Sequence, residues 1–375
     1  MKPSPNTGTP ISSNDHLLSF SFHSRHAIEA VDRMLQDVRS TTKPFGGITV
    51  VFGGDFQQTL PVVVKGTRED VVHATLQSSP LWNKVHVLHL HQNMRLHSHP
   101  QHTTFAHWLL DVGHGRLTDH KQRPSSMTVP TAMCSQSEND LIETIYGSMR
   151  DNNTIPPQFF HERAILAPRN IDIRNLNDTI LNLFPGDERE YCSADTYTME
   201  TPTEHINNDI PVEFLHSLNA SGLPVAHLRL KEGCPIMILR NIDSKKGLCN
   251  GTRATITRMS SRLLEIKLIT GDHAGETALI PRITLSPSLT GLDFAIKLNR
   301  RQFPIQLAFA MTINKAQGQT VNKVGIDLRK PSFAHGQLYV AFSRATSPEH
   351  VKVLLPDDCQ AKSTRNVVYN EILLD

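Results

Sequence analysis

The sequence predicts an α/β protein, and three features of its pattern point that way. From Arg25, apolar residues recur at 27, 28, 31, 34, 35 and 38 before a Lys-Pro pair, which predicts an amphipathic helix. Towards the other end, two short apolar runs each lead into a polar turn or a helix-like segment. Residues 212–300 differ, because short β-like runs alternate there with Gly, Asn and Asp turns, as in a small barrel.

Composition narrows the class of protein without identifying a function. A chain of 375 residues is long enough for two or three domains. The formal net charge is only +2, so any contact with nucleic acid must come from a local groove. Five scattered Cys without a CxxC pair fit reduced thiols in an intracellular protein and no zinc site. No apolar run approaches the roughly 20 residues of a membrane span, and no signal peptide is visible.

The polar turn that follows the apolar run ending near Met311 is the strongest candidate site. Thr312, Lys315 and Gln317 lie where a strand ends, and open α/β sheets bind ligands at that edge. These residues suit an anionic backbone, and Arg344 offers a rigid fork of donors for a phosphate. The alternative is a solvated loop with an ordinary surface Arg, and the residues by themselves leave both interpretations open.

A second group of candidates lies in the first hundred residues. Ile48 to Phe52 is predicted to be a buried strand, with Asp55 and Gln58 following it, and Asp55 is interpreted as a turn-forming carboxylate. Val85 to Leu90 is predicted to be another strand that leads to Arg95. The His residues between 86 and 107 lack a metal-ligand spacing, so they are interpreted as structural or solvent-exposed.

Five segments, in order along the chain, carry a resemblance to a known family. TINKAQGQT (312–320) and YVAFSRA (339–345) resemble motifs V and VI of superfamily-1 helicases, with wording similar to that of the PIF (petite integration frequency) DNA helicases. Residues 45–63, 88–96 and 230–256 resemble further segments of that family. The GGDFQQTLPV and EAVDRML wording also resembles helicase regions of Helitron transposons.

The resemblance implies a fold of two RecA-like P-loop NTPase lobes, the first of them incomplete, with a small SH3-like β insertion in the second. Residues 1–24 are rich in Pro, Ser, Asn and Thr without a sustained period, so they are predicted to be a disordered leader outside the family match. The remainder of the first lobe follows at 25–100, and the second lobe starts at 101–211. The SH3-like insertion is expected at 212–300, the rest of the second lobe at 301–356, and a tail at 357–375.

The resemblance also implies an ATP-dependent 5′-to-3′ DNA helicase, with roles in repair, recombination, telomere maintenance or transposon replication. Gln58, Arg95 and Arg344 are expected to bind the nucleotide, and Gln58 and Arg344 to act in catalysis, Arg344 as an arginine finger. The residues expected to face the DNA are Thr312, Asn314, Lys315 and Gln317. The family commonly has His where Asn314 stands.

The expected cofactors are ATP and Mg²⁺, and the expected partner is single-stranded DNA, bound by a monomer in the nucleus or a mitochondrion. The sequence contains no GxxxxGK[ST] loop, and no Asp-Glu pair precedes Arg25. The chain is therefore predicted to be amino-terminally truncated and inactive alone. The alternative is a non-catalytic remnant of a transposon-type helicase that binds single-stranded nucleic acid.

Overall fold

The structure is a computed structural model that describes residues 16–19, 24–90, 100–117, 125–149, 155–199, 210–218, 222–287, 296–357 and 362–374. The chain divides into two compact units. Unit 1 comprises residues 1–127, 332–340 and 365–375, and unit 2 comprises residues 128–331 and 341–364. No helix in the described part is long and apolar enough to cross a membrane.

The described residues form eight α-helices and nineteen strands. The helices are α1 Arg25–Val38, α2 Arg68–His73, α3 Pro100–Gly113, α4 Glu138–Tyr146, α5 Pro157–His161, α6 Asn170–Leu183, α7 Val212–Ser217 and α8 Gln337–Phe342. The strands are β1 His16–Ser19, β2 Val50–Gly53, β3 Ser126–Thr128, β4 Cys134–Ser135, β5 Arg163–Ala167, β6 Glu188–Cys192, β7 Ala194–Met199, β8 His227–Lys231, β9 Pro235–Ile238, β10 Arg253–Met259, β11 Leu263–Leu268, β12 Thr277–Pro281, β13 Ile283–Leu285, β14 Ile296–Gln302, β15 Ile305–Leu307, β16 Ala310–Thr312, β17 Lys323–Asp327, β18 Val351–Leu354 and β19 Ser363–Arg365.

In unit 1, β1 and β2 form a short parallel pair, and Val50 and Phe52 of β2 pack against an apolar cluster that contains Ile28 of α1. The helix begins after Ser24, whose hydroxyl accepts a hydrogen bond from the His26 amide and so satisfies one of the free donors of the first turn. Its buried Ile28 joins a small apolar cluster with Phe45, Phe56 and other side chains of the same unit. The helix predicted from Arg25 is confirmed.

Unit 2 is built on a five-stranded parallel sheet with the order β16-β5-β17-β18-β4. Parallel strands need crossover connections, and here helix α6 contacts β16 and β5 while helix α4 contacts β5, β17 and β18. Within α6, the buried Asn177 side chain bonds both the amide and the carbonyl of Ala310. This contact fixes the start of β16, the strand that leads to the candidate turn.

The remainder of unit 2 is antiparallel. Its largest part is a five-stranded sheet with the order β12-β11-β10-β9-β15, and β13, β14 and β7 form a three-stranded sheet. Strands β6 and β8 form a separate antiparallel ribbon. Strands β10, β11 and β12 lie in the region 212–300, where the sequence predicts short β-like runs closed by turn residues.

Two predictions on local structure are wrong. His16–Ser19 lies in the segment predicted to be a disordered leader, but it forms β1, since its backbone finds a partner in β2. The rest of that leader before Ser24 lies outside the described residues. Val85 to Leu90 was predicted to be a strand, but it pairs with no described strand, and Leu88 and Leu90 are 80% and 99% exposed. The apolar alternation of this segment is not enough to form a strand, because its backbone has no described strand beside it with which to form hydrogen bonds.

The compact units also divide the chain differently from the predicted domain ranges. Helix α3, which the prediction placed at the start of the second lobe, belongs to unit 1. Residues 332–340 and the end of the chain from Arg365 belong to unit 1 as well. Unit 1 is therefore assembled from three separate stretches of sequence.

Candidate nucleotide and nucleic-acid site

The turn after β2 in unit 1 is held together by Asp55. One carboxylate oxygen accepts a hydrogen bond from the Gln57 backbone amide at 2.9 Å, and the other accepts one from the Gln58 side-chain amide at 3.2 Å. The Gln58 backbone amide also reaches the Asp55 carbonyl at 3.2 Å. The interpretation of Asp55 as a turn-forming carboxylate is confirmed. Gln58 thus lies at the carboxyl end of a strand with its side chain tied to the turn.

A close backbone approach supports this turn from within unit 1. Gly336 has a φ of +71°, and a Cβ added there would lie 2.6 Å from the carbonyl carbon and oxygen of Gln58. Only glycine fits both the backbone conformation and the space. The neighbouring His335 is buried and bonds the Phe56 carbonyl at 2.7 Å, while its Nδ1 accepts the Tyr369 amide at 2.8 Å. Its burial lowers the pKa of His335.

In unit 2, the predicted DNA-facing residues follow β16 at the carboxyl edge of the parallel sheet. Thr312 ends the strand, and a single 3₁₀ turn, Ile313–Ala316, leads to Gln317. Asn314 is exposed, and Lys315 is half-buried with its pKa lowered by desolvation. The structure therefore brings all four residues together at the edge where α/β sheets bind ligands.

Arg344 is packed onto that same turn. Its side chain is 3% exposed, and its guanidinium donates to the carbonyl oxygens of Ala316 at 3.2 Å and Gln319 at 2.9 Å. A further bond reaches the Ser343 hydroxyl at 2.8 Å. The interpretation of Arg344 as an ordinary surface residue is wrong, because the guanidinium is buried and satisfied by backbone oxygens. Motifs V and VI are joined through this side chain.

The remaining predicted residues have separate locations. Gln58 belongs to unit 1 and the other described site residues to unit 2, and Arg95 lies outside the described residues. Sequence reasoning missed Asn177 and Arg253. Arg253 is fully buried, and its Nη2 donates to the carbonyls of Phe160, Arg163 and Ala308. A charged residue inside an otherwise alternating strand was the only signal available for it.

Three family models match this chain in order. A PIF1-like helicase model covers residues 19–123, a model of the Pif1 DNA helicase 2B domain covers residues 213–259, and a herpes-type helicase model covers residues 288–366. The first match includes the strand and helix that precede the Asp55 turn, and the last includes the Thr312 turn and Arg344.

Similar proteins and structures agree with these matches. The chain is 30% identical over 349 residues to the ATP-dependent DNA helicase PIF1 of Danio rerio, and 28% identical over 342 residues to that of Homo sapiens. The alignments cover 91% and 87% of this chain but 46% and 43% of those relatives, so the chain spans less than half of their length.

Two solved structures resemble the fold. The crystal structure of Bacteroides Pif1 bound to single-stranded DNA matches with a TM-score of 0.60 at 22% identity, over 96% of this chain and 72% of that one. Pif1 helicase from Candida albicans matches with a TM-score of 0.58 at 23% identity, over 92% of this chain and 73% of that one. The fold is thus the mixed α/β fold of helicases with RecA-like lobes. Within that class, the chain belongs to the PIF1-like family of superfamily-1 helicases.

Proposed function

We propose that this chain belongs to an ATP-dependent 5′-to-3′ DNA helicase. Unit 2 would be the second RecA-like lobe, and unit 1 would hold what is present of the first. The observation that carries the proposal is the attachment of the Arg344 guanidinium to the turn after Thr312, at the carboxyl edge of a parallel sheet. This attachment couples a nucleotide-facing group to a DNA-facing turn, as a motor requires.

In this proposal Arg344 and Gln58 stabilise charge on the transferring phosphoryl group, and Arg95 binds the nucleotide phosphates. Removal of an arginine finger typically costs on the order of 10³ to 10⁵ in rate.

The DNA-facing turn would bind mainly the phosphate backbone. Lys315 is half-buried, so a bound phosphate would return the electrostatic stabilisation that its ammonium group loses on leaving water. Asn314 and Gln317 add side-chain amides that suit phosphate and sugar oxygens. Binding of single-stranded DNA should therefore tolerate changes of sequence and weaken steeply as salt increases.

The antiparallel part of unit 2 would be the SH3-like insertion. Its five-stranded sheet from β12 to β15 is interrupted by tight turns, and it lies in the sequence between α6 and the return to the parallel sheet at β16. The match of the 2B-domain model to residues 213–259 supports this assignment.

The residues present do not fit Mg²⁺ binding. Strand β1 precedes α1, where the family has its carboxylate pair, yet no Asp or Glu occurs from His16 to Ile28. The sequence also supplies no GxxxxGK[ST] loop to seat the phosphates. We therefore propose that this chain does not hydrolyse ATP by itself. The same observation favours a second candidate, a non-catalytic remnant that binds single-stranded nucleic acid.

The test compares the chain with a graft that adds the missing amino-terminal motifs of a PIF1 relative. The chain alone should show only background ATPase activity, and the graft should show hydrolysis stimulated by single-stranded DNA. Arg344→Lys in the graft keeps the charge and removes the fork, so hydrolysis should fall by about 10³ or more while DNA binding persists. Arg329→Lys is the matched control, because Arg329 forms ion pairs elsewhere in unit 2, with Asp327 and Glu138.

Three outcomes would decide against the proposal. Robust ATPase activity in the unmodified chain would contradict the predicted inactivity. Full activity of the Arg344→Lys graft would remove the catalytic role of that residue. A graft that binds DNA but never hydrolyses ATP would support the non-catalytic candidate.

A further inference from the structure

A cluster of possible metal ligands lies on the ribbon formed by β6 and β8 in unit 2. Cys192 pairs directly with His227 across the ribbon, and Glu190 lies two residues before Cys192 on the same strand. Side chains two apart on a strand share a face, as do directly paired residues. The register of the ribbon therefore gathers a thiol, an imidazole and a carboxylate on one face.

The distances between these groups are close to those around one small ion. His227 Nδ1 lies 2.8 Å from Glu190 Oε1 and 3.7 Å from Cys192 Sγ, and the three candidate ligand atoms all lie within 4.8 Å of one another. A tetrahedral zinc ion with bonds of about 2.3 Å to sulfur and about 2.0 Å to nitrogen sets the sulfur and nitrogen about 3.5 Å apart. The carboxylate would have to withdraw by only about half an ångström to complete the set.

The chemistry of the three groups selects the kind of ion. One imidazole nitrogen of His227 faces both a thiol and a carboxylate. A divalent ion would bind the thiolate, so the Cys192 thiol would release its proton, and it would bind Nδ1 of His227 in the tautomer that carries its proton on Nε2. The ion would then contact all three ligands at once. A thiolate with an imidazole suits zinc and its neighbours in the transition series, whereas magnesium and calcium prefer oxygen ligands.

The surroundings hold the cluster in place and leave it accessible. The His216 ring from α7 packs perpendicular to the His227 ring, with centroids 5.1 Å apart, which limits rotation of the ligand. The neighbouring cation Arg229 is already paired with Glu188 at 2.7 Å. The side chains of His227 and Glu190 are 54% and 51% exposed, so an ion can enter and solvent can take the fourth position.

We propose that Glu190, Cys192 and His227 form a binding site for a zinc-type transition metal ion. The site lies outside the turns assigned to nucleotide and DNA, and its existence does not depend on the proposed helicase activity. The sequence predicted no zinc site, because Cys192 and His227 are 35 residues apart and neither lies in a ligand-spaced motif. A bound ion would crosslink β6 to β8 near the start of the antiparallel part of unit 2.

The experiment uses the full chain, stripped with a chelator and titrated with Co²⁺, whose thiolate complexes have a ligand-to-metal charge-transfer band. We expect a saturable band that Zn²⁺ abolishes by competition. Cys192→Ser should remove the band, and His227→Ala should weaken Co²⁺ binding by at least about tenfold, since even loss of an outer-shell partner costs about 10- to 100-fold. All three ligands are exposed, so the metal-free variants should melt at the wild-type temperature.

The chain offers two matched controls. His273 and Glu276 form another exposed His-carboxylate pair at 3.1 Å without a thiol in the ligand group, and Cys249 is a half-buried thiol elsewhere. His273→Ala and Cys249→Ser should leave the band and the affinity unchanged. The absence of a thiolate band in the wild type, or its persistence in Cys192→Ser, would overturn the proposal. An equal loss in Cys249→Ser would assign the band to adventitious thiol binding and overturn it as well.

Discussion

The ion pair between Asp195 and Arg300 provides a sharp test of how unit 2 is stabilised. Both side chains are fully buried, and the Arg300 Nη2 lies 2.7 Å from the carboxylate. The same guanidinium donates to the carbonyls of Pro224 at 3.1 Å and Leu215 at 2.8 Å. The pair therefore joins β7 and β14 to the segment around α7.

Asp195→Asn keeps the shape of the side chain and removes the charge that compensates Arg300. Breaking a buried ion pair on one side costs about 3 to 5 kcal/mol, because the other charge stays buried without its counter-charge. For a unit of about 150 to 250 residues, each 1 kcal/mol lowers the melting temperature by roughly 2 to 4 °C. We therefore expect the melting temperature of unit 2 to fall by about 6 to 20 °C, as measured by scanning calorimetry.

The pair between Arg229 and Glu188 is a matched control. It is also bidentate, with both nitrogen to oxygen distances at 2.7 Å, but each side chain is 33% exposed. Solvent screens this pair, so Glu188→Gln should cost less than about 1 kcal/mol. If Glu188→Gln lowers the melting temperature as much as Asp195→Asn does, burial is not the cause and the reasoning fails.

Three further predictions concern individual residues. Gly336→Ala should destabilise unit 1 by more than about 2 kcal/mol in urea unfolding. Gly275 also has a positive φ but open space around an added Cβ, so Gly275→Ala should cost only about 1 kcal/mol of backbone strain. Equal costs for the two variants would refute the steric argument. Burial lowers the pKa of His335, so as the pH falls this imidazole is protonated in the unfolded chain before it is protonated in the folded chain, and the stability should fall below about pH 6.5. In His335→Gln the difference between the melting temperatures at pH 7.5 and pH 5.5 should be smaller than in the wild type. An unchanged difference would contradict this prediction. Burial raises the pKa of Cys234 to about 12, so this thiol should react slowly at pH 8.5. Iodoacetamide at that pH should label the exposed Cys192 and should label Cys234 only when the chain unfolds, as measured by mass spectrometry. Labelling of Cys234 in the folded chain would refute its burial.

Much of the local structure was predictable because it depends on short-range patterns. Helix α1 follows from apolar residues at helical spacing after a serine cap, and β10 and β11 follow from alternation closed by turns. Val85 to Leu90 has a comparable pattern and still forms no strand. A strand forms only when its backbone can hydrogen-bond to a neighbouring strand, and the residues of the segment do not specify whether such a strand lies beside it.

The candidate site was predictable in part. The sequence by itself determined that Thr312, Lys315 and Gln317 follow an apolar strand, and the order of its motifs identified the family. Only the tertiary structure decided that Arg344 is buried against the backbone of that turn, since its partners Ala316 and Gln319 lie 28 and 25 residues away in the sequence.

The sequence by itself therefore determined the α/β class, helix α1, several short strands and the order of the helicase motifs, because neighbouring residues encode these features. Only the tertiary structure decided which remote residues meet. Arg300 reaches Asp195 across 105 residues, and Cys192 reaches His227 across 35. Such contacts are set by strand register and by the packing of elements, where a shift of one residue turns every side chain to the other face. A local pattern contains no information about that register.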